Sequence, residues 1–297
     1  MDIFKKMQFL FWAMLILFLS QGIQKNSFAQ SLDRFAIDYT PLAESNSLSA
    51  SSLSTQIGHQ FFLNDDGSSL LTLGLAHSWV QIEDPTLSGI DRSRSVHTLV
   101  PTFNLMQVVS ESISLILNLR PGIYGDLKSH LGEQFRLEGG AVVSSVISDR
   151  LTLGIGLGRG TNLGRDLVVP LLQILYFASD TVLIRGLLPV QASIWYIPHQ
   201  DWEWGAVFRL EGSLYHLETS SIANARKLGF ASALFGLSVK RNLFSKAFLV
   251  LEAGLSALRR YEWSTDPSLR FISGDEPLFE RELASVPYLK VGFQIRM

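Results

Sequence analysis

The chain alternates apolar and polar residues with a period of two over many short stretches. From Val286 to Met297, Leu289, Val291, Phe293, Ile295 and Met297 fall on one side, and Lys290, Gly292, Gln294 and Arg296 on the other. That is the spacing of a strand with one apolar face. A slip of one residue would carry Lys290 and Arg296 to the apolar side, so register is strongly specified. Over 246–263, Ala247, Leu249, Leu251, Ala253, Leu255 and Ala257 share a face that runs on to Tyr261 and Trp263, opposite Glu252, Gly254 and Ser256. Over 201–217, Trp202, Trp204, Ala206, Phe208, Leu210 and Leu214 oppose Glu203, Arg209, Glu211, Ser213 and Tyr215. Over 112–125, Ile113, Leu115, Leu117, Leu119 and Ile123 oppose Ser114, Asn118, Arg120 and Tyr124. Over 133–147, Phe135, Leu137, Ala141 and Val143 oppose Gln134, Arg136, Glu138 and Ser144.

Gly, Pro, Asn, Asp and Ser clusters separate these stretches, the punctuation of successive hairpins. Short connections are predicted at Asn64–Gly67, Ser110–Ser112, Ser148–Arg150, Ser179–Asp180, Pro198–Gln200 and Arg241–Ser245. Longer ones are predicted near 43–51, 83–93, 126–132, 160–166, 218–227 and 264–283. Short and long alternate until Thr181 to Ile197. Read as one strand, this stretch gives an odd total. Read as two short strands broken near Leu188-Pro189, it gives fourteen strands with both termini at the short-turn end; Pro cannot donate to a ladder, so a break there is reasonable. Twelve strands is the alternative if 33–42 or the short pair is miscounted. The expectation is an all-β, up-and-down antiparallel barrel, closed because lipid cannot satisfy a free sheet edge.

Alternation alone does not say which face is outside, since a soluble sandwich would bury the apolar one. Three features favour lipid outside. The polar faces are as rich in Gly and Ser as in charge. The strands are long enough to cross a bilayer at a tilt, at roughly 9–11 residues. Aromatics stand near strand ends, at Trp202, Trp204, Tyr261, Trp263, Trp79, Tyr39, Tyr196 and Tyr176, as interfacial girdles do. The mature part has no long uninterrupted apolar run, yet 47% of the chain is hydrophobic; a transmembrane barrel reconciles the two, because only alternate residues need face lipid.

The N-terminus reads as an export signal. Lys5 and Lys6 precede an apolar run from Met7 to Leu19, and Ser27-Phe28-Ala29 offers small residues at the cleavage positions. Removal of residues 1–29 is expected, leaving 30–297 as one barrel domain. The absence of Cys argues against a lipid-anchored lipoprotein, disulfides and thiolate metal sites. Removal of the signal takes the formal charge from −2 to about −4. No basic cluster points to a nucleic-acid partner.

The start Phe35-Ala36-Ile37-Asp38-Tyr39, the stretch Asp166 to Tyr176 with its Pro170, and the ending Tyr288-Leu289-Lys290-Val291-Gly292-Phe293 resemble uncharacterised bacterial outer-membrane barrel families of the domain-of-unknown-function kind, common in Bacteroidetes-type bacteria. The chain is also loosely similar to long-chain fatty-acid transporter barrels, which have 14 strands. The resemblance implies a Gram-negative outer-membrane location, with membrane lipids and the barrel-assembly machinery as partners, and no assigned activity. The chain departs from such barrels at its last residue, Met297, where an aromatic often stands.

If the polar faces point inward, the lumen carries Asp38, Arg120, Arg136, Glu138, Arg185, Arg209, Glu211, Glu252, Lys290 and Arg296. Both signs are present, which fits a paired network filling a narrow lumen better than a one-sign selectivity filter. Catalysis is not expected. Ser95 and His97 share a face, but their backbones stand roughly 6.6 Å apart and no orienting acid is evident. No cofactor or metal site is expected either. Asn64-Asp65-Asp66-Gly67 reads as a tight turn and not a calcium loop. Gly154, Gly156 and Gly158 lie in a strand with no following helix, so they are not a nucleotide loop; they admit a bulky neighbour or curve the wall. The functional expectation is passage of small or apolar solutes. The alternative is a structural or surface-interaction barrel with a filled lumen, its longer loops making the contacts.

Overall fold

The computed structural model describes residues 33–296 apart from 46–47, 85–86, 88, 129, 162–163, 219, 221–224, 245 and 266–278. The expected export signal lies outside the described residues. The strands are β1 (Asp33–Ser45), β2 (Leu48–Phe62), β3 (Ser69–Glu83), β4 (Ser93–Val108), β5 (Ile113–Gly125), β6 (Phe135–Ser148), β7 (Leu151–Gly160), β8 (Leu167–Ser179), β9 (Val182–Leu188), β10 (Gln191–His199), β11 (Trp202–His216), β12 (Lys227–Phe244), β13 (Ala247–Ser264), β14 (Phe279–Leu283) and β15 (Val286–Arg296), with a single helical turn, α1 (Leu131–Gln134), before β6.

Strands that follow one another pair antiparallel, and β15 returns to β1, with Ile37 opposite Phe293 and Asp38 opposite Gly292. Segments β14 and β15 lie end to end along β13, the first opposite Arg259–Trp263 and the second opposite Ala247–Ser256. Among the described residues the fifteen segments therefore make fourteen staves of a closed up-and-down barrel. Asp33 is opposite Arg296, so both described ends of the chain lie at the short-turn end. The break predicted in 181–197 falls at a cis Leu188–Pro189 peptide between β9 and β10.

Three connections differ from expectation. The sheet between β1 and β2 runs on to Ser45 opposite Leu48, so the long connection near 43–51 is replaced by paired strand. Phe279–Leu283, predicted as loop, is strand β14. Leu131–Gln134 is helical, so β6 begins two residues later than the alternation implied.

The apolar rows face outward. Ile155 and Leu157 on β7 are 72% and 62% exposed, and Leu237, Leu251, Leu255 and Leu289 are exposed likewise. Their polar neighbours Ser144, Glu252 and Ser256 are buried inside. Such a surface is what lipid contact demands and water penalises. Tyr176, Tyr196, Trp202 and Trp204 are exposed on the outer face at the short-turn end, Trp202 and Trp204 stacked at 5.8 Å.

Tyr261 and Trp263 correct the girdle expectation: both are fully buried inside the barrel. A β-bulge causes the reversal. Between Ala231 and Ala233 of β12 the register along β13 shifts by one, and Leu258 adopts a left-handed φ of 49°. The extra residue exchanges the two faces beyond that point. Leu258 turns outward, Arg259 turns inward, and Tyr261 and Trp263 follow it.

These rings anchor an apolar cluster at the long-loop end. It includes Ile82, Val96, Val100, Tyr124, Tyr215, Leu217, Leu228, Phe230 and Leu283. Every strand that contributes belongs to one half of the barrel, and the half is sealed by a contact across the lumen. The tip of β5 meets the tip of β11 in parallel register at Gly125 and His216, and Asp126 N–H donates to His216 O at 3.2 Å. Over β2–β5 and β11–β14 the mouth is thus packed like a protein interior.

Candidate functional site: the lumen

Below this plug the lumen is lined by the polar rows. Lys290 Nζ lies 3.0 Å from Asp38. Arg120 lies 3.8 Å from Glu138, its cross-strand neighbour. Arg209 bridges Glu211 at 3.1 Å and Glu252 at 3.0 Å, and the Tyr288 hydroxyl donates to Glu252 at 2.6 Å. Arg296 donates to Glu203 at 2.8 Å. Arg136 crosses the lumen to donate to Leu214 O at 2.7 Å, its guanidinium 5.3 Å from the centre of the Tyr124 ring. Arg185 lies 5.8 Å from the Trp195 ring centre and donates to Ser193 at 3.4 Å. The ten candidate side chains fall into four ion-pair groups, with Arg136 and Arg185 in further contacts. A buried charge at low dielectric is tolerated when it is partnered this way.

Two further charged residues stand in the lumen: Glu203, which the alternation placed on a polar face but which was not among the lumen candidates, and Lys240, which the alternation had not placed. Lys240 donates to Gln294 at 3.1 Å and stands 4.7 Å from the Trp195 ring centre. Its place in the even row of β12, with Gly236 and Ser238, was the available signal. Thr161, at the start of the β7–β8 connection, dips inward to donate to Glu138 at 2.6 Å.

Two adjoining spaces lie inside, among the described residues. The larger, of about 740 Å³, is lined by residues of β2–β13 and β15; the smaller, of about 340 Å³, lies beneath the plug, and both touch Arg120 and Glu138. The larger owes its room to glycine. Gly140 and Gly158 present no side chain to it, and a Cβ on Gly158 would lie 3.0 Å from Leu171. The charges are unevenly divided. Among the described residues lining the larger space are Arg120, Arg159, Arg185, Arg209, Lys240 and Lys290 against Glu138 and Glu252. Around the smaller, Asp38, Glu138 and Glu211 face Arg120 and Lys290.

Other candidates resolve locally. Ser95 Oγ accepts from Trp79 and donates to Gln81, each at 2.7 Å, while His97 lies 3.4 Å from His77. Both partners draw Ser95 and His97 away from each other. The Asn64–Gly67 segment is a tight turn. Asn64 accepts from Ser69 N–H at 2.8 Å, Gly67 has φ 71°, and the Ser68 N–H on Asp66 holds that carboxyl below its usual pKa.

A closed antiparallel barrel with an apolar exterior and a polar, partly filled lumen defines the class. Within it, the chain belongs to the family described as "Domain of unknown function (DUF6268)", which it matches over residues 96–296, from near the start of β4 to the end of β15. No curated protein matches the sequence. Among solved structures, the KdgM porin is similar at 8% identity, with 88% of this chain and 99% of that one covered and a TM-score of 0.38. LpxR from Salmonella typhimurium follows at 9% identity, 87% and 99% coverage and 0.37. The siderophore receptor PirA from Pseudomonas aeruginosa is similar at 13% identity, 92% and 60% coverage and 0.33. Likenesses this distant assign no activity, substrate or partner to this chain.

Proposed function

We propose that this chain is a Gram-negative outer-membrane barrel that takes small or apolar solutes through its lumen, without an open water-filled pore. The observation that carries the reading is the pair of adjoining cavities inside a wall whose outer face is apolar. Outer-membrane lipids surround the apolar belt, and the barrel-assembly machinery inserts the exported chain. The lumen charges select by what they pair with: a solute entering the larger cavity meets more cations than carboxylates.

The filled-lumen alternative also has an observation in its favour, the apolar plug across the mouth. Proteoliposome swelling separates the two. Slow, size-limited entry of small solutes supports passage. Swelling no faster than in protein-free liposomes, for neutral, anionic and apolar solutes alike, supports a structural barrel.

A further inference from the structure

The geometry points to an oxyanion site at the floor of the plug, where Arg259 and Ser256 hold a small carboxylate or phosphate. Such a site is as compatible with a filled barrel as with a passage, so it stands or falls apart from solute entry.

The bulge puts the guanidinium there. Between Ala231 and Ala233 of β12, Ser232 alone stands against Leu258 and Arg259 of β13. This two-against-one count, with Leu258 at φ 49°, turns Arg259 inward, where an unbroken strand would give it an outward position. Its side chain is 1% exposed. Leu283, opposite Arg259, and Val286, opposite Ser256, are buried and apolar, so neither side chain supplies an acceptor.

A cation so enclosed calls for an anion, and the carboxylates around it are engaged elsewhere. Asp91 and Asp126 lie against Arg94, and Asp84 lies 3.2 Å from Arg281. Glu262 and Glu280 pair with Arg165 and Arg260. Arg259 itself donates from Nη1 to Ala284 O at 3.3 Å. Its Nε and Nη2 have no hydrogen-bond partner among the described residues. Those two nitrogens share one edge of the planar guanidinium. Parallel N–H bonds from such an edge match two oxygens of a carboxylate or phosphate. The same edge is in use at Arg159, whose Nε and Nη2 donate to the two oxygens of Asp166 at 3.0 and 2.8 Å. The Ser256 hydroxyl, at the inward position before the bulge, is fully buried and also without a partner among the described residues. It adds a third donor beside the open fork.

Access comes from below the plug. Ser232, inward and buried beside Arg259, lines the smaller cavity. The carboxylates of that cavity are offset by cations: Asp38 by Lys290, Glu138 by Arg120 and Glu211 by Arg209. An oxyanion bound at Arg259 neutralises a buried charge that the fold leaves open, and so stabilises the closed plug.

Equilibrium dialysis of the folded full chain in detergent measures the site, at constant ionic strength set with chloride. The probes are radiolabelled inorganic phosphate and radiolabelled acetate, and whichever binds more tightly tells a phosphate site from a carboxylate site. We expect saturable uptake of at least one probe. Arg259→Gln should abolish it. Arg259→Lys keeps the charge without the fork and should weaken half-saturation at least tenfold. Ser256→Ala keeps the fork and should weaken it several-fold. The thermal midpoint of the wild-type folded band is a second readout that needs no variant: it should rise as chloride is replaced by the probe that binds. No saturable uptake by the wild type, with water then satisfying the donors, overturns the site. Uptake unchanged in Arg259→Gln or Arg259→Lys places the ion among the other lumen cations and overturns it too. Should neither Arg259 variant fold, uptake unchanged in Ser256→Ala, or a wild-type midpoint indifferent to the probe, has the same force.

Discussion

His216 at the end of β11 stands in parallel register with Gly125 at the end of β5, two strands with five staves between them along the wall. The contact divides the barrel mouth into a packed half and a half bounded by the short β9–β10 hairpin. Gly125 allows it because a Cβ there would lie 2.6 Å from His216 O. Gly125→Val should separate the tips and cost about 1–3 kcal/mol by overpacking. Bilayer conductance should rise while the heat-modifiable folded band on gels persists at a lower melting temperature.

Trp263 carries the plug. Removing a fully buried ring of this size costs about 3–5 kcal/mol. Trp263→Ala should lower the urea midpoint of the folded band and increase solute entry, whereas Trp204→Ala, on the exposed outer face, should do neither to a comparable extent.

The bulge makes a prediction about deletions. Leu258 is the extra residue, held at a left-handed φ that costs an L-residue roughly 1–2 kcal/mol. Deleting Leu258 should leave Tyr261 and Trp263 inside, because the strand becomes regular with the same faces. Deleting Leu258 and Arg260 together should turn both rings outward, because a single residue then separates Ala257 from Tyr261. Quenching of Trp263 by nitroxide-labelled lipids, taken relative to Trp263→Phe, should stay low in the first deletion and become strong in the second.

Glu252 is almost completely buried and accepts from Arg209 and Tyr288. Glu252→Ala strands a guanidinium in the lumen and should cost about 3 kcal/mol in urea unfolding. Arg209→Leu/Glu252→Leu removes both charges and should cost less than the single change. A double variant worse than Glu252→Ala would contradict the pairing.

Much of the wall was legible in the sequence because the pattern of a lipid-facing strand is strict. Lys290 and Arg296 against Leu289 and Ile295 admit one register, and Leu188-Pro189 marks a break that no ladder tolerates. The features missed are those that alternation does not encode. A bulge at Leu258 leaves the sequence alternating while the chain exchanges faces, so Tyr261 and Trp263 read as an outer girdle. The Gly125–His216 contact joins strands distant in sequence, and no local signal announces it. Charges were readable as inward, but their division between two cavities depends on tilt and on which residues are glycine, as at Gly140 and Gly158.

If solute passes, its path is the glycine-walled cavity. That path is tested most directly by measuring entry of small solutes into proteoliposomes of the wild type and of Gly158→Trp. The atoms nearest a Cβ at Gly158 belong to the flexible Leu171 side chain, which can move aside for a ring that fills the space. Entry above protein-free liposomes is expected for the wild type, and background rates for Gly158→Trp with the folded band intact. Equal rates in the two proteins, or none in the wild type, would contradict it.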